Sequence, residues 1–182
     1  PEVTDVYTYW NSGDIRFTIS WDVEPSISYE VRLGGAMADP YGNTIVEETV
    51  IRFTTDALAP LTQLAVPGNV GTYNGYAPTN VYVLHRNVSQ VDLALYRLGE
   101  EDFVRLTGPN RWEVWEDFEP DDQAELMRTW SLPAEAALNE TGYTRVDLVE
   151  GGGTLPPGLY FLEASAPEVR QQEWWEPSQH IL

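Results

Sequence analysis

Apolar residues recur at every second position in short runs along this chain, and the runs end at clusters of Gly, Pro, Asn or Asp. A period of two places one set of side chains on each face of a pleated strand, so this rhythm restricts the chain to β-structure closed by tight turns. The stretch from Tyr29 to Thr55 shows it plainly. Tyr29, Val31 and Leu33 alternate with Glu30 and Arg32, the run breaks at Asp39-Pro40-Tyr41-Gly42-Asn43, and Ile51, Phe53 and Thr55 alternate with Arg52 and Thr54. Upstream, Ile15, Phe17, Ile19 and Trp21 form an apolar stripe after the turn Asn11-Ser12-Gly13-Asp14. With Val6–Trp10 that predicts a hairpin. At least four strands are expected before residue 56.

Asp56-Ala57-Leu58-Ala59-Pro60 is the expected boundary, because Pro60 cannot donate to a ladder. A second β series follows: Leu61–Val66, Asn80–His85, Val91–Tyr96, Tyr143–Val149 and Gly158–Ala164. His180-Ile181-Leu182 reads as the opening of a final strand. Two stretches suggest short helices: Gly99–Phe103, with acids suited to a helix start, and Glu119–Met127, with Pro120 near the first turn. The spacing of the strands predicts an all-β antiparallel sandwich.

Composition closes off several classes of function. The formal net charge of -19 and a pI near 4.2 argue against nucleic acid or an anionic membrane surface as partner. With no Cys, the chain holds no disulfide, thiolate metal site or thiol nucleophile. No apolar run approaches the roughly 18 to 20 residues of a membrane span, so no membrane insertion is expected. The Pro1-Glu2-Val3-Thr4 start does not read as a signal peptide, and the chain reads as a piece of something longer.

Candidate chemistry is sparse. Glu113, Glu116, Asp117, Glu119, Asp121 and Asp122 crowd beside Trp112 and Trp115, but catalysis needs one carboxyl with a raised pKa in an apolar pocket, so a solvated acidic loop is expected. His85 and His180 are the two imidazoles. His85 sits at a strand end with Ser89 and Asp92 nearby in sequence, where a packing role is expected over catalysis. Neither Asp39–Asn43 nor Glu119–Asp122 has the ligand spacing of a calcium loop, and no phosphate or dinucleotide motif occurs. No catalytic residue, cofactor or metal is assigned. Large rings at alternating positions are expected in cores, Trp10, Trp21 and Trp130 among them, whereas Trp174-Trp175, flanked by Glu173 and Glu176, is the candidate interaction surface.

Two blocks of residues resemble known modules. Tyr29-x-Val31-x-Leu33, Asp39-x-Tyr41-Gly42-Asn43 and Phe53-Thr54-Thr55 resemble the C-terminal half of a bacterial Ig-like domain, over residues 1–56. Residues 57–182 resemble a macroglobulin-like domain from the N-terminal region of a bacterial alpha-2-macroglobulin. That resemblance is carried by Tyr73–Tyr76, Asn87-Val88, Val91–Leu98 with Glu101–Phe103, Trp130–Pro133 and Leu155–Ala164 with Ala166–Glu168. It implies a partial Ig-like unit followed by an Ig-like or macroglobulin-like sandwich, in a non-catalytic structural module of a protease-trapping surface protein. It further implies an extracellular or cell-envelope location, neighbouring domains of the same longer chain as partners, and contact with proteases only through the full-length protein. A carbohydrate-binding or adhesive β-module, using the aromatic rings as a stacking platform, is the competing reading.

Overall fold

The computed structural model describes residues 3–13, 15–39, 41–116, 118, 120, 124–171 and 176–182. The chain divides into two compact units, Pro1–Leu58 and Ala59–Leu182. Antiparallel sheets make up both, with two short helices added in the second.

The first unit is two hairpins. Strand β1 (Tyr7–Asn11) pairs with β2 (Arg16–Ser20), and β3 (Ser28–Leu33) with β4 (Thr49–Thr54), in register through Tyr29↔Phe53 and Val31↔Ile51. The first turn is tightened by Asn11, whose side-chain oxygen accepts the Gly13 N–H at 3.0 Å. The second connection is organised by Asp39. Its Oδ1 accepts the N–H groups of Tyr41 and Asn43, both at 2.9 Å, and its Oδ2 accepts from the Asn43 amide at 2.8 Å. These bonds, the Asn43 side chain first, hold the Asp39 carboxyl below its usual range, and Gly42 supplies the left-handed residue at φ 87°.

The apolar stripe of β2 is shorter than its spacing predicts. Ile15 lies in the turn at φ 49° and is 79% exposed, because closing the hairpin there takes a left-handed residue that no strand can contain. Trp21, half-buried, follows the strand and meets Tyr29 and Phe53 with ring centroids 6.1 Å from each. Among the described residues Tyr29 is the buried hydrophobic side chain of this unit.

The second unit is a two-layer sandwich. One layer is β5 (Leu61–Leu64), β6 (Asn80–Arg86) and β9 (Gly142–Asp147), in the order β5-β6-β9. The other is β7 (Gln90–Arg97), β8 (Glu125–Pro133), β10 (Tyr160–Ser165) and β11 (Ser178–Ile181), in the order β11-β10-β7-β8. Between them Val81, Val83, Val91, Leu93, Leu95, Val146, Leu148, Leu162 and Ala164 form the main core. Alternation along β7 sends Val91, Leu93 and Leu95 inward, as its sequence predicts.

On the outer side of the larger sheet, α1 (Glu100–Thr107) and α2 (Arg111–Glu116) cover Phe161. Leu106 and Phe118 are buried there, and Trp115 donates its indole N–H to the Leu106 carbonyl at 2.9 Å. Glu100, Glu101 and Asp102 occupy the first turn of α1, where carboxylates oppose the helix dipole favourably.

The helix expected over Glu119–Met127 does not hold at its C-terminal end, and Glu119 and residues 121–123 lie outside the described residues. Glu125, Leu126 and Met127 open β8, paired with Arg97 and Tyr96 across a register shift, so long-range pairing overrides a local capping signal. The acidic loop expected from Glu113 onward is in part helix: Glu113 lies exposed in α2, and Asp117, Glu119, Asp121 and Asp122 lie outside the described residues. Two connections are locked together by a pair of amides. Asn87 (φ 52°) and Asn139 (φ 66°) exchange a side-chain bond at 3.1 Å, and the Asn139 N–H donates to the Asn87 side-chain oxygen at 2.7 Å.

Candidate interaction surfaces

The outer face of β7, β8 and β10 beyond the helices is polar. Asp92 and Ala94, Thr129 and Ser131, and Glu163 and Ser165 line a shallow groove of about 630 Å³, with Arg170 from the 3-10 turn Val169–Gln171 at its edge. Asp92 is the hub. One of its oxygens accepts from Ser131 Oγ at 2.7 Å and from the Gln90 amide at 2.8 Å, and the other accepts from Arg170. Arg170 also donates to Ser165 Oγ at 3.1 Å. The network ties the 3-10 turn to the sheet and uses the carboxylate's acceptor sites on internal donors.

That geometry settles the grouping of His85, Ser89 and Asp92. Asp92 faces outward onto Ser131 and Arg170, Ser89 donates its N–H to Glu168 at 2.9 Å, and His85 faces the interior, 1% exposed. The three do not form a proton relay. Such a relay requires the base within hydrogen-bond reach of the nucleophile.

Both histidines are interior residues. His85 Nε2 meets Thr144 Oγ1 at 3.0 Å, and its ring lies against Gly142, where an added Cβ would stand 2.6 Å from Cε1. His85 Nδ1 and the hydroxyl of Thr62, its cross-strand partner, are buried with no hydrogen-bond partner among the described residues. His180 is fully buried, with Nδ1 2.7 Å from the Gly68 carbonyl and Nε2 2.9 Å from the Tyr73 hydroxyl. Burial pushes the pKa of each imidazole below its ordinary value, and for His180 the Gly68 carbonyl opposes this in part. The strand-end position of His85 suggests packing in sequence. Gly142, a glycine inside a strand, is the sequence signal that a ring lies against its backbone.

The first unit has two open apolar clefts. Trp10, Phe17, Met37 and Ile45 line one of about 520 Å³, and Phe17, Ile19, Trp21, Tyr29, Val31 and Met37 line another of about 350 Å³. Phe17 is 39% exposed, and Phe53 38%. Trp10 and Trp21 are thus half-buried rather than enclosed, contrary to the core placement their alternation predicts, because two separate hairpins leave part of each ring uncovered. Trp130 packs on the main core from β8 and carries the Arg128 guanidinium over its ring at 4.1 Å. Arg128 also donates to the carbonyls of Asp147 and Leu148, joining the edges of the two layers. The pair Trp174 and Trp175 lies outside the described residues. Among the described residues no helix is long and apolar enough to cross a membrane.

No family model matches the chain, and no curated protein matches it. Solved structures do. A native alpha-2-macroglobulin structure from Escherichia coli spanning domains MG0-NIE-MG1 aligns with 98% of this chain at 16% identity and a TM-score of 0.53, and the alignment covers 57% of that chain. A Salmonella alpha-2-macroglobulin reacted with methylamine aligns with 97% of this chain and 10% of its own length, at 14% identity and a TM-score of 0.65. A mutant of the Salmonella protein, Y1175G, gives 95%, 10%, 14% and 0.64 for the same quantities. This chain thus spans just over half of the first structure and about a tenth of the other two. At such identities the likeness is one of fold, and the architecture of this chain is that of a partial region of the bacterial alpha-2-macroglobulins.

Proposed function

We propose that this chain is a non-catalytic structural module of a bacterial alpha-2-macroglobulin-like, protease-trapping protein of the cell surface or envelope. The observation that carries the reading is the continuity of the alignment: nearly the whole chain follows one region of longer chains, about a tenth of the two Salmonella structures. In this reading residues 1–56 are part of a bacterial Ig-like domain and residues 57–182 a macroglobulin-like domain. Their partners are neighbouring domains of the same longer chain, and proteases are met only through the full-length protein. The internal use of the Asp92 network and the enclosed histidines fits scaffold better than chemistry.

Two measurements test the proposal. Mixed with serine and metalloproteases, the chain alone leaves peptide hydrolysis unchanged and forms no covalent conjugate. In a longer chain that carries it, deletion of residues 1–182 abolishes protease trapping. Stoichiometric inhibition by the isolated chain, or trapping that survives the deletion, overturns the scaffold reading. Titration with common polysaccharides is expected to leave Trp fluorescence unchanged. A saturable change lost in Trp174→Ala or Trp175→Ala replaces the reading with a carbohydrate-binding one.

A further inference from the structure

Residues 68–73 run beside the free edge of β11 as a short parallel strap. The Gly71 N–H donates to the Ile181 carbonyl at 2.8 Å, the Ile181 N–H donates to the Asn69 carbonyl at 2.7 Å, and Val70 and Ile181 form a parallel bridge. Few backbone bonds hold so short an edge. Besides the packing of Tyr73 on the main core, a buried side chain, His180, attaches the strap.

The protonation state of that side chain follows from its partners. A carbonyl can only accept, so Nδ1 carries the proton and donates to Gly68. In a neutral ring Nε2 is then the acceptor, and the Tyr73 hydroxyl donates to it. Both ring nitrogens therefore bond to the strap, one near each of its ends. Gly71 lies between these points, and an added Cβ there would stand 2.8 Å from Nε2, so the strap backbone rests directly on the ring. The Tyr73 ring meets the imidazole edge-on at 5.8 Å.

A second proton is costly in this arrangement, because it places a charge on a fully buried ring. Nε2 would change from acceptor to donor, so the Tyr73 hydroxyl would have to turn round to accept, and the buried cation would face no carboxylate among the described residues of the strands packed beside it. From β10 the residue opposite is Leu162, while Glu163 lies on the other face of the sheet in the polar groove. Neither β5 nor β11 contributes another ionisable side chain. Tyr73 is the titratable group in contact, and burial holds it neutral well above physiological pH.

We propose that His180 is an acid-sensitive bolt: neutral, it pins residues 68–73 to β11, and protonation at Nε2 frees the strap. Release would widen a cleft of about 270 Å³ whose walls include Val70 and Tyr73 on the strap and Pro156, Pro157 and Tyr160 opposite. The device is independent of the scaffold proposal, since it concerns how this fold opens and not what the longer protein does.

Amide exchange followed residue by residue on the full chain tests it. If closing requires a neutral imidazole that titrates near 6.5 when free, lowering the pH from about 7.5 to about 5.5 raises the opening constant about tenfold. After correction for intrinsic rates, the Gly71 and Ile181 amides should therefore exchange about tenfold faster, and at both pH values far faster than those of Leu93 and Leu95 in β7, which open only when the whole unit unfolds. A strap that does not respond, or strap amides that exchange no faster than those of β7 at either pH, overturns the proposal. His180→Asn keeps a donor for the Gly68 carbonyl and cannot titrate, so its strap should lose the pH response; a retained tenfold response overturns the bolt. If that variant does not fold, the imidazole ¹⁵N shifts of the unmodified chain decide. His180 protonating near pH 6.5 with the strap still protected overturns it, and a ring that stays neutral in the closed state at pH 5.5 supports it.

Discussion

The two units have the same strand rhythm and very different interiors. In the second, the space between two layers buries Leu95, Leu148 and Leu162 and the helix-covered outer side buries Phe161, Leu106 and Ile181 almost completely; in the first, two hairpins enclose Tyr29 and leave Phe17, Ile51 and Phe53 more than a third exposed. Alternation thus specifies a strand and says little about whether a second layer covers it. The energetic consequence is large, because burial stabilises by about 25 cal/mol per Å² of apolar surface removed from water.

Four experiments break or sharpen this contrast. The largest effect is expected for Phe161→Ala, which empties the space between the helices and the sheet and strips the edge-on contact with Phe118 at 5.0 Å. The loss should be about 3 to 5 kcal/mol, seen as faster amide exchange across the second unit with the first unchanged. An equal response in both units would show that they unfold as one body.

Acid should separate them next. Both histidines belong to the second unit, and each has a folded-state pKa below its ordinary value of about 6.5. The unfolded chain therefore binds more protons as pH falls through 6.5, and stability is lost from there down to the folded pKa. The loss cannot exceed about 1.4 kcal/mol per pH unit for each ring, and most carboxylates titrate lower. Melts between pH 7.5 and 5.5 should show the second unit weakening while the first, which has no histidine, stays level.

Tyr29→Phe probes the smaller interior. The Glu24 N–H donates to the Tyr29 hydroxyl at 2.8 Å, while the ring stacks on Phe53 at 5.6 Å. Losing the hydroxyl alone should cost about 1 kcal/mol of the first unit's stability and leave the second unaffected. A cost several times larger would show that the hydroxyl organises the unit. The smallest effect belongs to Glu30→Gln. Arg32 and Arg52 bond Glu30 at 2.6 and 2.7 Å, hydrogen bonding to both guanidiniums holds its carboxyl below the usual range, and all three groups lie in solvent. Surface pairs of this kind contribute little, so the melt should move within error. A clear shift would mean that the first unit depends on its surface charges in place of a core.

Strands β3, β6 and β7 are legible because their alternation coincides with burial, whereas β10, buried on both faces, is legible as a short apolar run after a turn. Strand β8 is not, since Leu126 and Met127 are adjacent and both exposed, and the shift between Leu95 and Tyr96 disturbs the period where it pairs. The helix signal at Pro120 is a local preference of a few tenths of a kcal/mol to about 1 kcal/mol, which ladder pairing outweighs. Site features were less legible. The acceptor role of Asp92 depends on Ser131, 39 positions away, and the enclosure of His180 depends on Gly68 and Tyr73, more than 100 positions away. No spacing rule reaches across such distances.

The amide pair at Asn87 and Asn139 has a consequence for descent. Each residue holds a left-handed backbone that most side chains avoid, and each completes the hydrogen bonding of the other. Glycine at either position keeps the backbone and drops the link, while most other residues drop the link and strain the backbone as well. A lineage altering one position first therefore passes through a weakened intermediate. Related chains should retain both asparagines or have lost both.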